Sequence, residues 1–170
     1  DYWRRSLKQS GTAKPLTDEE SLCRDFWDRF RKYLDAQESS LPLGKSLKTR
    51  ARAHLSIDSP DVWPRIDLNI KAASIRLTIE FSGLKSKPER SRKWYDLIKE
   101  EQPNIETEVG FGLSWANPSR GVEPYPYFER SGVDFADREG WPVLFAWIDG
   151  DMTALRDATK QRLETFINAS

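Results

Sequence analysis

The acidic side chains of this 170-residue chain invite a comparison with metal-dependent nucleases. Such an enzyme needs acidic ligands on adjoining strand positions and a lysine two residues beyond the second, so that metal, water and phosphate meet. The nearest approach is Asp61 with Asp67 and Lys71, but Asn69 occupies the position that the lysine should hold. The spacing argues against a nuclease site, and we expect no catalytic residue and no bound metal.

Covalent catalysis has no better support from the residue types. A serine or cysteine nucleophile needs a base within reach, and the single histidine, His54, lies on the hydrophilic side of a predicted strand. The single cysteine, Cys23, has apolar neighbours at helical spacing, so we interpret it as a small core residue. One cysteine and one histidine can form neither a disulfide nor a four-ligand zinc site. The sequence predicts no cofactor.

Two basic clusters are the candidate nucleic-acid-binding residues. The first contains Lys45, Lys48, Arg50, Arg52 and His54, and the second contains Lys85, Lys87, Arg90, Arg92 and Lys93. A cationic rim with Trp63 and Trp94 nearby can contact a phosphate backbone. Runs of charge are usually solvated surface, so that interpretation stays open as the alternative.

The composition restricts the remaining functions. Lys plus Arg equals Asp plus Glu at 27 each, so no global field attracts polyanions or membranes. No apolar run approaches the roughly 20 residues of a membrane-spanning helix, and the first residues lack the apolar stretch of a secretory signal. We therefore expect a soluble cytoplasmic protein with no membrane partner.

The missing initial methionine suggests a fragment in which residues 1–16 are a linker or anchor from an upstream region and 17–170 form one domain.

Apolar periodicity predicts an α+β fold. Three helices are expected at about 18–37, 87–109 and 141–168, the first opening with a capping box at Thr17-Asp18-Glu19-Glu20. Strict alternation from 65 to 81 predicts a central antiparallel hairpin with one apolar and one hydrophilic face. Further strands are expected within the stretch 45–57 and around 111–115 and 125–129, which gives an antiparallel sheet of about five strands. Pro103 should kink or divide the middle helix, and Gly150 is a candidate interruption of the last one.

The middle of the chain also resembles a known family. The motif Ile105-Glu106-x-Glu108-x-Gly110-x-x-Leu113-x-Trp115, with Trp94-Tyr95-x-Leu97 before it and Asp137-x-x-x-Trp141-Pro142 after it, is similar to an uncharacterised bacterial domain family. The resemblance covers roughly residues 24–168. Members often follow a restriction-endonuclease-like nuclease domain, and the family has no assigned catalytic residues. Pro103 and Gly150 depart from its pattern.

The resemblance implies a companion to a DNA-cutting or defence-related domain, as in restriction-modification or antiviral defence. The leading hypothesis is a non-catalytic C-terminal accessory module that contributes DNA binding through the two basic clusters. The alternative is a protein-interaction or dimerisation domain that docks an upstream nuclease-like partner or a second copy. A stand-alone enzyme is the third hypothesis.

Overall fold

The chain folds as an antiparallel sheet with three helices against one face, as a computed structural model shows. The structure describes residues 15–44, 49–55, 62–81, 88–115 and 125–169, with the backbone alone for 88, 90, 91 and 166–169. The helices are α1 Asp18–Ala36, α2 Pro88–Val109 and α3 Trp141–Ala169, and the strands are β1 Arg52–His54, β2 Val62–Asn69, β3 Ser74–Phe81, β4 Ser114–Trp115 and β5 Pro126–Ser131. The strand order is β1-β2-β3-β5-β4, so the predicted α+β class and five-stranded sheet are confirmed.

Helix α1 begins where the capping box predicts. The Thr17 hydroxyl accepts from the Glu20 amide at 3.2 Å, and the Glu20 carboxylate accepts from the Thr17 amide at 2.8 Å, so two otherwise unbonded donors are satisfied. Its apolar stripe includes Cys23, which is buried, and burial raises the pKa of that thiol. The interpretation of Cys23 as a core residue is confirmed.

The β2–β3 hairpin divides its side chains between two faces. The apolar face holds Val62, Pro64, Ile66, Leu68, Ile75, Leu77, Ile79 and Phe81, all buried. The polar face holds Trp63, Arg65, Asp67, Asn69, Ser74, Arg76, Thr78 and Glu80. The hairpin begins three residues earlier than predicted, because Pro64 remains in the strand and its carbonyl accepts from the Leu55 amide at 2.8 Å. Lys71, expected on the hydrophilic face, lies in the turn that joins the strands.

The helices pack on the apolar face and their aromatic rings form the core. Phe26 is fully buried, with ring centroids 5.1 Å from Phe145, 5.2 Å from Trp141 and 6.0 Å from Phe135. These edge-to-face contacts add to the burial of apolar area. Trp27, Trp94 and Trp141 are buried in this core, whereas Trp115 and Trp147 are half-buried at its margin.

Neither Pro103 nor Gly150 divides its helix. Helix α2 continues through Pro103, because Arg162 of α3 bonds Glu101 at 3.2 Å and Glu108 at 2.9 Å on either side of it. These contacts hold both halves of α2 against α3, although the proline removes one backbone hydrogen bond. Helix α3 likewise continues through Gly150, since the flanking Ile148 and Met152 are buried in the core.

The remaining strands are shorter or shifted relative to the prediction. Strand β4 contains only Ser114–Trp115 of the expected 111–115, and β5 covers Pro126–Ser131 rather than 125–129. The Gln102 amide donates to the Leu113 carbonyl at 3.1 Å, and the Glu106 carboxylate accepts from the Leu113 amide at 2.7 Å. Helix side chains therefore occupy the hydrogen-bonding groups that a longer strand would use.

Candidate nucleic-acid interface

A row of alternating charges crosses the polar face of the sheet. Strand pairing places Arg52 opposite Asp67, Asp67 opposite Arg76, and Arg76 opposite Glu129. Arg52 Nε bonds Asp67 Oδ1 at 2.5 Å, and Arg76 bonds Glu129 Oε2 through Nε at 2.8 Å and Nη2 at 2.7 Å. Opposite charges on directly paired positions stabilise a sheet. We call these four residues the charge row.

A second set of ion pairs centres on Arg65, next to the charge row. Arg65 Nε donates to Asp67 Oδ2 at 2.8 Å and Nη1 donates to Glu80 Oε2 at 2.7 Å, while His54 Nε2 lies 3.1 Å from the same Glu80 oxygen. Only 10% of the Arg65 side chain is exposed, against 39% for Arg76. The guanidinium of Arg65 is thus a buried anchor and not an open surface charge.

The pKa shifts follow from this pairing. Burial alone would lower the pKa of Arg65, but the carboxylates of Asp67 and Glu80 outweigh it and raise that pKa. Burial alone would raise the pKa of Glu80, but hydrogen bonds and charges from Arg65 and His54 outweigh it and lower that pKa. Both groups are therefore held in their charged forms.

The acids of the polar face meet on an arginine. Glu80 pairs with Trp63 across the hairpin, and this register brings Glu80 to the guanidinium of Arg65, where Asp67 also binds. The two carboxylates therefore meet on a guanidinium and not on a lysine, as the nuclease pattern would need. Within the part of the chain that the structure describes, no group of three or more His, Cys, Asp or Glu side chains could hold a metal ion. Asp61, which the sequence comparison with nucleases grouped with Asp67 and Lys71, lies outside the described residues.

An open groove of about 690 Å³ runs beside the charge row toward the tip of the hairpin. Its charged lining consists of the cations Arg50, Arg52, Arg65, Lys71 and Arg76 and the acids Glu19, Asp67 and Glu129. Arg52, Arg65 and Arg76 are bound by carboxylates, whereas Arg50 and Lys71 are exposed and form no ion pair with a described residue. The cations outnumber the acids, so the groove is suited to an anionic ligand.

Aromatic rings lie under two of the guanidiniums. Arg76 Cζ is 4.0 Å from the ring centroid of Tyr127, and Arg65 Cζ is 5.6 Å from that of Tyr125. Tyr127 is half-buried and pairs with Thr78, which places it on the polar face. Cations over ring faces at these distances are attracted by the ring quadrupole.

Residues 22–163 match the family model described as a domain of unknown function, DUF4268. The chain belongs to the DUF4268 family. The match extends from α1 into the last part of α3, so it includes the whole sheet, and the expected membership of an uncharacterised domain family is confirmed. Searches of curated proteins and of solved structures returned no match. In the described ranges, no helix of this DUF4268 domain is long and apolar enough to cross a membrane.

The first predicted basic cluster is partly on the groove of this DUF4268 domain. Arg50 and Arg52 line it, and the Arg50 carbonyl accepts from Trp27 Nε1 at 2.7 Å, which ties this segment to α1. His54 is exposed on the polar face, at Glu80. Lys45 and Lys48 lie outside the described residues.

The second predicted basic cluster lies elsewhere. Arg92 and Lys93 are exposed on α2, which packs against the apolar face of the sheet, and Arg92 bonds Asp96 at 3.2 Å. For Arg90 only the backbone is described, and Lys85 and Lys87 lie outside the described residues. The described members of the two clusters are therefore on different sides of the sheet.

Several groove residues were not among the predicted site residues. The polar ones are Glu19, Arg65, Asp67, Asn69, Lys71, Ser74, Arg76 and Glu129. Alternation along the hairpin indicated which of them share a face, but the sequence holds no signal for the register that aligns four strands into the charge row.

Proposed function

We propose that this DUF4268 domain is a non-catalytic accessory module that binds DNA through the groove on the polar face of its sheet. The observation that carries the proposal is the lining of the groove, where five cations face three carboxylates. Lysine and arginine side chains bind nucleic acid chiefly through its phosphates, with release of condensed counterions.

Arg50 and Lys71 supply the excess positive charge. Both are exposed, and neither is held by a carboxylate of a described residue, so both remain available for phosphates. Arg52 and Arg76 line the same groove, with their charges paired to Asp67 and Glu129. A short segment of phosphate backbone fits this arrangement better than a large interface, and we expect binding of modest affinity with a shallow salt dependence.

The test is anisotropy titration of a labelled DNA duplex and of the matching single strand, repeated between about 50 and 200 mM salt. The double variant Arg50→Glu/Lys71→Glu should weaken binding about tenfold or more and reduce the salt slope by about two. The matched control Arg92→Glu/Lys93→Glu makes the same change in charge on α2 and should alter affinity less than about threefold. Salt-insensitive binding, or equal losses in the two double variants, would contradict the proposal.

The biological setting is part of the same proposal. The resemblance motivates a role as the C-terminal companion of an upstream nuclease-like domain, in restriction-modification or antiviral defence and in the cytoplasm. The full-length reading frame tests this directly. A nuclease motif upstream of Asp1 is expected. A complete gene that starts near Asp1 would contradict this biological setting but would leave the proposal of DNA binding in the groove unaffected.

A second candidate function, self-association through the same face, is favoured by the order of charges in the charge row. The charges in the row are positive, negative, positive and negative from Arg52 to Glu129. A second copy that faces the first across a two-fold axis perpendicular to the row has this order reversed, so each charge faces one of opposite sign. Light scattering across a range of protein concentrations should then show a dimer that Arg76→Glu disrupts. A concentration-independent monomer would exclude this candidate.

A further inference from the structure

Arg76 differs from the other groove cations in how it is held. Its guanidinium carbon lies 4.0 Å from the ring centroid of Tyr127, and Glu129 Oε2 accepts from its Nε at 2.8 Å and lies 2.7 Å from its Nη2. The ring supports one side of the guanidinium, and the carboxylate fixes its edge. Arg76 lines the groove with 39% of its side chain exposed, so a ligand in the groove can reach it.

The pairing with Glu129 makes Arg76 a poor phosphate ligand, since its charge is already compensated and its Nε donor is used. Its planar surface is unaffected. Arginine planes stack on unpaired nucleobases, as aromatic rings do, and such stacking does not depend on base identity. A guanidinium already fixed on Tyr127 loses little conformational entropy when a base stacks on it.

An amide that lines the same groove can bind the edge of a stacked base. Asn69 is exposed in the groove and lies opposite the buried Ser74 in the hairpin. The Asn69 side-chain oxygen accepts from the Ala72 amide at 3.0 Å, which leaves its two amide hydrogens as donors.

We propose that Arg76 and Tyr127 form a stacking subsite for an unpaired nucleobase, so that the groove prefers single-stranded DNA to duplex. This inference rests on the proposed DNA binding and specifies the substrate class. In a duplex the bases are stacked on one another and their faces are closed to the protein, whereas a single strand can place one base on Arg76 while its phosphates reach Arg50 and Lys71.

The experiment compares a labelled oligothymidylate with an abasic strand of the same length, which carries the same phosphates and no bases. The wild-type protein should bind the oligothymidylate about tenfold more tightly, as one stacked base provides. Arg76→Lys keeps the charge and loses the plane, so the preference should fall below about twofold. Tyr127→Ala should lose the preference too, and Tyr127→Phe, which keeps the ring, should retain it.

The outcomes separate the two proposals. Equal binding of both strands by the wild type, or a full preference in folded Arg76→Lys, would overturn the stacking subsite and leave the salt-dependent contacts intact. Failure of the wild type to bind either strand in a salt-dependent way would overturn DNA binding itself. Thermal unfolding of each variant establishes that it is folded.

Discussion

The two faces of the central hairpin come from the same alternating sequence, yet they are stabilised by different physics. On the apolar face Ile66 and Leu77 are fully buried against the helices, and their stabilisation follows the area removed from water. On the polar face Arg65 and Glu80 are partly buried as well, but their stabilisation depends on directed bonds between charges. The apolar face should therefore respond to changes in volume, and the polar face to changes in charge and pH.

The difference also indicates where binding can evolve. Apolar side chains that fill the core have no spare surface, whereas ion pairs at a solvent-facing sheet keep partly exposed groups in fixed positions. Arg76, with Tyr127 beneath it and Glu129 beside it, is such a group.

The largest effect should come from the core. Phe26→Ala removes a ring that five aromatic side chains surround, and we expect the free energy of unfolding to fall by about 3–5 kcal/mol. Urea denaturation at two salt concentrations measures it, and the loss should be the same at both. Val143→Ala, at a side chain with 65% exposure, serves as the control and should change stability by less than about 0.5 kcal/mol. A loss that depends on salt would contradict the conclusion that the apolar face is stabilised by burial and the polar face by charge.

Arg65 should be the most sensitive position of the polar face. Arg65→Met leaves the partly buried carboxylates of Asp67 and Glu80 without their shared partner, and we expect a loss of about 2–3 kcal/mol in chemical denaturation. Arg76→Met is the matched comparison, since its ion pair with Glu129 is more exposed and should contribute less than about 1 kcal/mol. Equal losses of stability at the two arginines would show that burial does not determine how much each ion pair contributes.

Glu80 should make stability depend on pH. Its pKa is lowered by folding, so its contribution is present above the unfolded value of about 4.3 and is lost as the pH falls through the folded value. Glu80→Gln should cost about 1–2 kcal/mol at pH 7, and the difference from wild type should shrink below about pH 4. Denaturation curves across this range measure it, with the exposed Glu139→Gln as the control. A difference that grows as the pH falls would have the wrong sign.

The smallest effect should be a gain. Thr78 lies on the polar face with 1% exposure, and its hydroxyl has no hydrogen-bond partner among the residues that the structure describes, so it loses solvation without compensation. Thr78→Val keeps the shape and should raise the free energy of unfolding by up to about 1 kcal/mol. Thr159→Val is the matched control, because that buried hydroxyl donates to the Leu155 carbonyl at 2.8 Å. A loss at Thr78 as large as at Thr159 would show that the hydroxyl is satisfied.

The sequence alone determined the helices, the hairpin and the assignment of residues to its two faces. Capping at Thr17, helical spacing in α1 and alternation from Ile66 to Phe81 are local properties, and local periodicity identifies local structure. The sequence alone did not predict that α2 continues through Pro103, because contacts between α2 and α3 outweigh the local preference of proline.

Only the tertiary structure decided the site. The charge row draws Arg52, Asp67, Arg76 and Glu129 from four strands, and Glu129 is 53 residues from the arginine that it binds. Such pairs depend on strand order and register, which sequence periodicity does not encode. For the same reason the basic clusters that stand out along the chain were separated by the fold, while the groove was assembled from residues that periodicity assigned only to a hydrophilic face.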